Sequence, residues 1–185
     1  MIRSFPAIQW AFVALAFIGF ISSAPAGRSA QSTPSIPRFT RAGVLPPNIH
    51  KTGIAEFTQR FSGSSRRVRM IRSLRHTLPR LRAAGVPRVY ITGSFVTRKE
   101  NPGDLDMAIQ KGPHMRWPPL ILAARSAYGA GLRIYGADER VKDVLEKKIG
   151  KEQRLKWAVR PPTMLEFFQH SRTGRRLGIV ALDLR

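Results

Sequence analysis

The chain has 185 residues, with 32 Lys and Arg against 11 Asp and Glu, a formal charge of +21. That length supports one ordinary domain, and 43% hydrophobic residues with 14 Pro and 15 Gly fall outside a low-complexity or disordered composition. The absence of Cys excludes a disulfide framework, a thiol nucleophile and a cysteine zinc site, while the positive surplus points to an anionic partner such as nucleic acid, nucleotide phosphate or a membrane face.

Residues 1–26 form an apolar segment. After Arg3 no charge appears until Arg28, and the run Ala7 to Ile21 is almost wholly apolar. Three readings stand beside one another: a signal peptide with small residues at Ala24-Pro25-Ala26, a signal anchor whose following Arg28, Arg38, Arg41 and Lys51 keep the domain in the cytoplasm, and an over-extended gene start. Residues 27–37 read as a flexible linker, because the stretch is rich in Ser, Pro, Ala and Gly and has no carboxylate. The globular part is expected over 38–185, entered by an extended Gly43 to His50 stretch with paired prolines.

Ser64 or Ser65 is placed to cap a helix running to about Ala84. Val68, Ile71, Leu74, Leu78 and Leu81 would form its buried stripe, Gly85 its stop, and Pro79 a kink or break. The other face carries Arg66, Arg67, Arg69, Arg72, Arg75, Arg80 and Arg82 without an acid between Glu56 and Glu100. Such a face is either plain solvated surface or a track for a nucleic-acid backbone.

Strands are expected at Arg88 to Thr92 and Leu105 to Gln110. A helix from Leu120 to Leu132 follows, entered by Trp117-Pro118-Pro119. A third strand is read at Arg133 to Tyr135, a charged helix over Glu139 to Trp157, a short helix around Leu165 to Phe168, and a closing strand over Gly178 to Leu184.

The informative segment runs from Ile91 to Met107. A strand ends in Gly93-Ser94, nine residues follow, and Asp104-Leu105-Asp106-Met107 opens another strand. Side chains two apart on a strand share a face, so Asp104 and Asp106 stand side by side while Leu105 and Met107 point to the core. Two adjacent carboxylates repel unless a cation lies between them, and hard oxygen ligands suit Mg²⁺. Gly93 permits close approach of a phosphate, and Ser94 can donate to it. Arg98 and Lys99 lie in the intervening loop, where they could reach a phosphate tail or simply be solvated. His50, His76, His114 and His170 lack metal-ligand spacing and read as packing or surface residues, and Trp117, Phe167 and Phe168 read as core.

At these residues the sequence resembles the polymerase-beta-like nucleotidyltransferase superfamily, whose signature is a hydrophobic residue with Gly-Ser, a spacer, then Asp-hydrophobic-Asp. It also resembles a small bacterial family of nucleotidyltransferase-like proteins, through Leu45 to His50, Arg82 to Val86, Gly93 to Thr97, and Phe167 to Leu184. The likeness covers about residues 38 to 185. It implies an α/β (α+β) domain in the nucleotidyltransferase fold, a small mixed sheet flanked by helices. It also implies two Mg²⁺ ions held by Asp104, Asp106 and a third carboxylate on a later strand. Asp138 is preferred for that role over Asp183. The implied reaction is nucleotidyl transfer from a nucleoside triphosphate to a hydroxyl of RNA, tRNA included, or of a partner protein, in the cytoplasm and within a toxin–antitoxin type of system. The alternative is an inactive scaffold that binds nucleic acid through its basic surface. A binder does not need the third carboxylate, so that group separates the two.

Overall fold

The computed structural model describes residues 35–116, 131–140, 163–171 and 173–184, with 118, 120, 123, 124, 127 and 129 between them. All lie in the unit Thr33–Arg185. The apolar segment 1–26, linker residues 27–34, Trp117 and residues 141–157, where the sequence predicts a charged helix, lie outside the described residues, and the described start of that stretch, Arg140, forms a bridge with Thr163.

Five short strands form one mixed sheet: β1 (Ile49–Thr52), β2 (Arg88–Thr92), β3 (Leu105–Ile109), β4 (Leu132–Gly136) and β5 (Ile179–Asp183), in the order β1-β5-β2-β3-β4. β2 is antiparallel to both β3 and β5, whereas β4 runs parallel to β3 and β1 parallel to β5. The chain is therefore mixed α/β, as the alternation of β-branched runs with helical periodicity predicts.

Strand alternation divides the sheet residues between two faces. Val89, Ile91, Leu105, Met107, Ile109, Leu132, Val180 and Leu182 pack into the main core. That core is covered by α1 (Ile54–Phe61) and α2 (Ser65–Ala83), with the helical residues Leu120, Ala123 and Ala127. The opposite face carries a smaller cluster of Tyr90, Ala108, Ala137, Ile179 and Ala181, against which Leu165 and Phe168 of α3 (Met164–Phe168) pack. Thr163 and Glu166 close a capping box at the start of α3, which lets so short a helix form.

α2 confirms its expected ends and corrects its interior. Ser64 caps it by accepting the Arg67 N–H, and Gly85 leaves it at φ 86°, a conformation open to glycine. Val68, read as a core residue, is 41% exposed. The buried stripe instead comprises Arg67, Met70, Ile71, Leu74, Thr77, Leu78 and Leu81. Pro79, expected to break the helix, lies inside a continuous one on its exposed side. The N–H that proline lacks would have bonded the carbonyl of Arg75 one turn back, and both residues lie on the exposed side of the helix.

Strand β1 and helix α1 were not anticipated. The Gly43 to His50 lead-in ends as the edge strand β1, and α1 follows without a side-chain cap at Gly53. Its Phe57 and Phe61, four apart, bury against Phe95 with centroids at 6.0 and 6.2 Å. The expected helix to Leu132 stops earlier, since Gly131 (φ 78°) turns the chain and Leu132 already belongs to β4.

Candidate functional site

The two segments singled out in the sequence meet at one end of the sheet. β2 ends at Thr92, and a 3₁₀ turn over Gly93–Val96 carries Gly93 and Ser94 out over that end. The antiparallel register sets Thr92 opposite Asp106, so both side chains lie on the smaller-cluster face of the sheet. Gly93 adopts φ 70°, and a Cβ there would stand 2.7 Å from Asp106 Oδ2. Glycine is thus required twice over, by backbone conformation and by the carboxylate beside it. Thr92 is fully buried, and its Oγ1 has no hydrogen-bond partner.

The neighbour on the other side of Asp106 is a cation. The parallel register of β3 and β4 pairs Asp106 with Arg133, and Arg133 Nε lies 2.9 Å from Asp104 Oδ2. Asp104 foremost, with a hydrogen bond to Tyr135 and the charge of Asp106 behind it, holds the Arg133 guanidinium more basic than usual. The mutual repulsion of the two carboxylates, for which a metal seemed the natural remedy, is relieved by this side chain.

Asp138 is not part of this group. β4 runs parallel to β3, so its C-terminal end lies beside Ile109, at the far end of the sheet. Gly136 is three residues past Arg133, about 10 Å along the strand, and Asp138 lies beyond it, paired with Lys111 at 2.9 Å. Asp183 is also at the far end, opposite Arg88 and ion-paired with it. Among the described residues no cluster of three His, Cys, Asp or Glu could hold a metal. At the register position beside Asp106 on β4 the chain has a guanidinium, that of Arg133. Two carboxylates, of which Asp104 is ion-paired with Arg133, are a poor fit for a pair of Mg²⁺ ions.

The arginines of α2 divide into two groups. Arg67 is 5% exposed and donates to the carbonyls of Phe95 (2.7 Å), Thr97 (2.9 Å), Lys99 (2.6 Å) and Glu100 (3.2 Å), with its guanidinium 4.8 Å from the Phe95 ring centroid. Burial lowers its pKa, and four carbonyl dipoles offset the desolvation. It is a clamp on the loop between Ser94 and Asp104, which corrects its reading as a nucleic-acid contact. Arg66 donates to the Gly103 carbonyl at 2.9 Å, holding the turn that delivers Asp104. Arg69, Arg72 and Arg75 are exposed along the outer face, as the sequence suggested.

Arg98 and Lys99 are both exposed. The Arg98 N–H donates to Gly43 at 2.7 Å, and its side chain lines a hollow whose walls include neither Asp104 nor Asp106. Ser94 is half-buried, and its carbonyl accepts the Thr97 hydroxyl at 2.7 Å. His50 Nε2 lies 2.9 Å from the Pro46 carbonyl, a packing role as expected. No helix among the described residues is long and apolar enough to cross a membrane.

Residues 37–183 match the model of a family of unknown function, DUF6932. The chain belongs to that family. No curated protein and no solved structure matches the chain. The match begins one residue before the globular part expected from the sequence, and it spans the Gly93-Ser94 turn, both carboxylates and Arg133. The family description assigns no chemistry, so the site must be read from its own geometry.

The residues that sequence reasoning missed are Arg133, Thr92 and Arg67 as a clamp. Arg133 stands in a legible strand. Its partner on β3, however, is set by a register across a long connection, which local pattern does not encode.

Proposed function

We propose that this chain is a nucleotidyltransferase-like module that binds the phosphate backbone of nucleic acid and does not carry out two-metal nucleotidyl transfer. The observation that carries the reading is Arg133, in register with Asp106 and paired with Asp104. Support for the scaffold comes from a strand ending in Gly-Ser set antiparallel to an Asp-x-Asp strand, the arrangement that the resemblance implies. Support for the ligand comes from the +21 charge and from Arg69, Arg72 and Arg75, exposed along one helix. Backbone binding of this kind rests on displaced counterions and needs no bound metal.

A second reading, transfer of a nucleotidyl group from a nucleoside triphosphate to an RNA or protein hydroxyl, draws on one observation. Thr92 Oγ1 is buried without a partner, opposite Asp106 in the strand register, and Gly93 brings bare backbone up to that carboxylate. One experiment separates the two. The purified chain and its Asp104→Asn/Asp106→Asn variant are incubated with labelled triphosphates, Mg²⁺ and cell extract, and both are titrated with single-stranded RNA in EDTA. The binding module predicts equal, metal-independent RNA affinity and no transferred label. Label transferred by the wild type alone would establish the transferase.

A further inference from the structure

Away from the carboxylates, the 97–100 loop, the start of α2 and the lead-in around Phe39 line an open surface hollow of about 220 Å³. Two of its walls are arginines that pair with no carboxylate among the described residues: Arg60 at the end of α1, and Arg98 in the loop. The Arg60 guanidinium lies over the Phe39 ring, 4.4 Å from its centroid, and 6.0 Å from that of Phe61. Stacking of this kind restrains an otherwise mobile guanidinium while leaving its edge N–H donors free to bond outward.

Arg98 is restrained from its backbone. Its N–H bonds Gly43, Thr97 bridges Val44, and a Cβ on Gly43 would stand 3.2 Å from Arg98 Cβ. Behind both, buried Arg67 adds a third positive charge that the loop carbonyls hold in place. The single acid at the hollow, Glu100, is exposed.

We propose that this hollow is a binding site for a phosphate monoester carried on a sugar. The two unpaired guanidiniums match the charge of about −1.5 to −2 that a monoester bears at neutral pH, and planar donor edges suit its oxygens. The open hollow of about 220 Å³ leaves room for the phosphate and part of its sugar. Phe39, partly exposed beside Arg60, gives the sugar an apolar edge, and Glu100 limits how much negative charge the hollow accepts. This site is separate from the α2 face and from the Asp104–Asp106 end, so it stands or falls apart from the function proposed above. A strand end of nucleic acid and a free phosphorylated sugar share the chemistry.

The test uses the full chain, with Arg98→Gln and Arg60→Gln variants. Calorimetric titration with ribose 5-phosphate, and with ribose, asks whether the phosphate is required. Titration with one RNA oligomer bearing either a 5′-phosphate or a 5′-hydroxyl asks whether a strand end is the source. The wild type is expected to bind ribose 5-phosphate and not ribose, and to lose about tenfold or more in Arg98→Gln, since hydrogen bonds between charged groups contribute about 1.5–3 kcal/mol. Arg98 is exposed, so that variant keeps the fold. A tenfold preference for the 5′-phosphorylated oligomer, lost in either variant, identifies a strand end. Ribose 5-phosphate binding without that preference identifies the free phosphosugar. Failure to bind ribose 5-phosphate together with equal affinity for both oligomers overturns the site, even if RNA still binds through α2. Phosphate-dependent binding that survives both substitutions overturns it too.

Discussion

Arg133 faces Asp106 across parallel strands β3 and β4, and its Nε closes on Asp104 at 2.9 Å. A guanidinium is a fixed cation supplied by the chain, and it offsets one of the two carboxylate charges at this end of the sheet. The pairing is also half exposed, so as an ion pair it contributes little to folding, about 0–1 kcal/mol. Its consequence lies in what the site can bind.

Arg133→Asp changes the local charge by two and puts a third carboxylate beside Asp106. In this variant Mn²⁺ should bind and raise the melting temperature, because a ligand of the native state stabilises it by RT ln(1 + [L]/Kd). Without metal the variant should melt below the wild type, since three acids then repel. The same titration on the wild type should leave its melting temperature unchanged. Equal Mn²⁺ responses in both proteins would show that Arg133 does not decide metal binding.

Arg67 couples α2 to the loop that runs from Ser94 to Asp104. Removing its side chain leaves four carbonyls short of a donor and a void against Phe95. Arg67→Ala should cost about 3 kcal/mol by denaturant unfolding, within the range for broken buried polar networks. Arg67→Lys should recover only part of this, because an ammonium cannot span carbonyls that a planar fork reaches together. Neither change should alter the salt dependence of binding to an RNA with a 5′-hydroxyl end, which is what distinguishes a clamp from a backbone contact on the α2 face.

Much of the fold could be read in the sequence, and the reasons are local. Ser64 and Gly85 bracket α2, and the β-branched run Val89 to Thr92 declares β2. The Leu105 to Ile109 alternation declares β3, with Asp106 on the face opposite Leu105 and Met107, while Asp104 stands just before the strand. Three features escaped for identifiable reasons. Arg67 occupies a position at which the helical period calls for an apolar residue, and its burial depends on loop carbonyls some thirty residues away. Pro79 sits on the exposed side of α2, as does Arg75 one turn back, so the helix runs through it at a position away from the core. Asp138 follows a strand as expected of a third acid, but the parallel direction of β4 carries it away from Asp106. Strand direction and register are tertiary choices, and the site depends on both.

Glu56 ties the start of the described chain to α1. Its carboxylate accepts the hydroxyls of Ser35 and Thr52, both at 2.7 Å, and the Ile36 N–H at 3.2 Å. The Ser35 hydroxyl first, then that of Thr52, lowers its pKa below the ordinary 4.5. A carboxylate depressed in the folded state contributes stability above its unfolded pKa and loses it as the pH falls through the folded value. The melting temperature should therefore drop more steeply below about pH 4.5 in the wild type than in Glu56→Gln, the two curves converging in acid. Parallel curves would show that the contacts of Glu56 do not stabilise its charged form.

The outer face of α2 provides the most direct test of the nucleic-acid reading. Arg69, Arg72 and Arg75 are exposed and recur every three residues, so their side chains fall within one arc of the helix. If each neutralises one phosphate of a single strand, each adds about 0.7 to the slope of log affinity against log salt. Arg69→Gln/Arg72→Gln/Arg75→Gln should then lower that slope by about 2, and affinity for single-stranded RNA should fall uniformly across sequences. The fold should be unaffected, because none of the three belongs to the buried stripe of Met70, Ile71, Leu74, Leu78 and Leu81. Fluorescence anisotropy at salt concentrations from 50 to 300 mM gives the slope directly. An unchanged slope in the triple variant would move RNA binding off this helix, and a flat slope in the wild type would remove the backbone-binding function altogether.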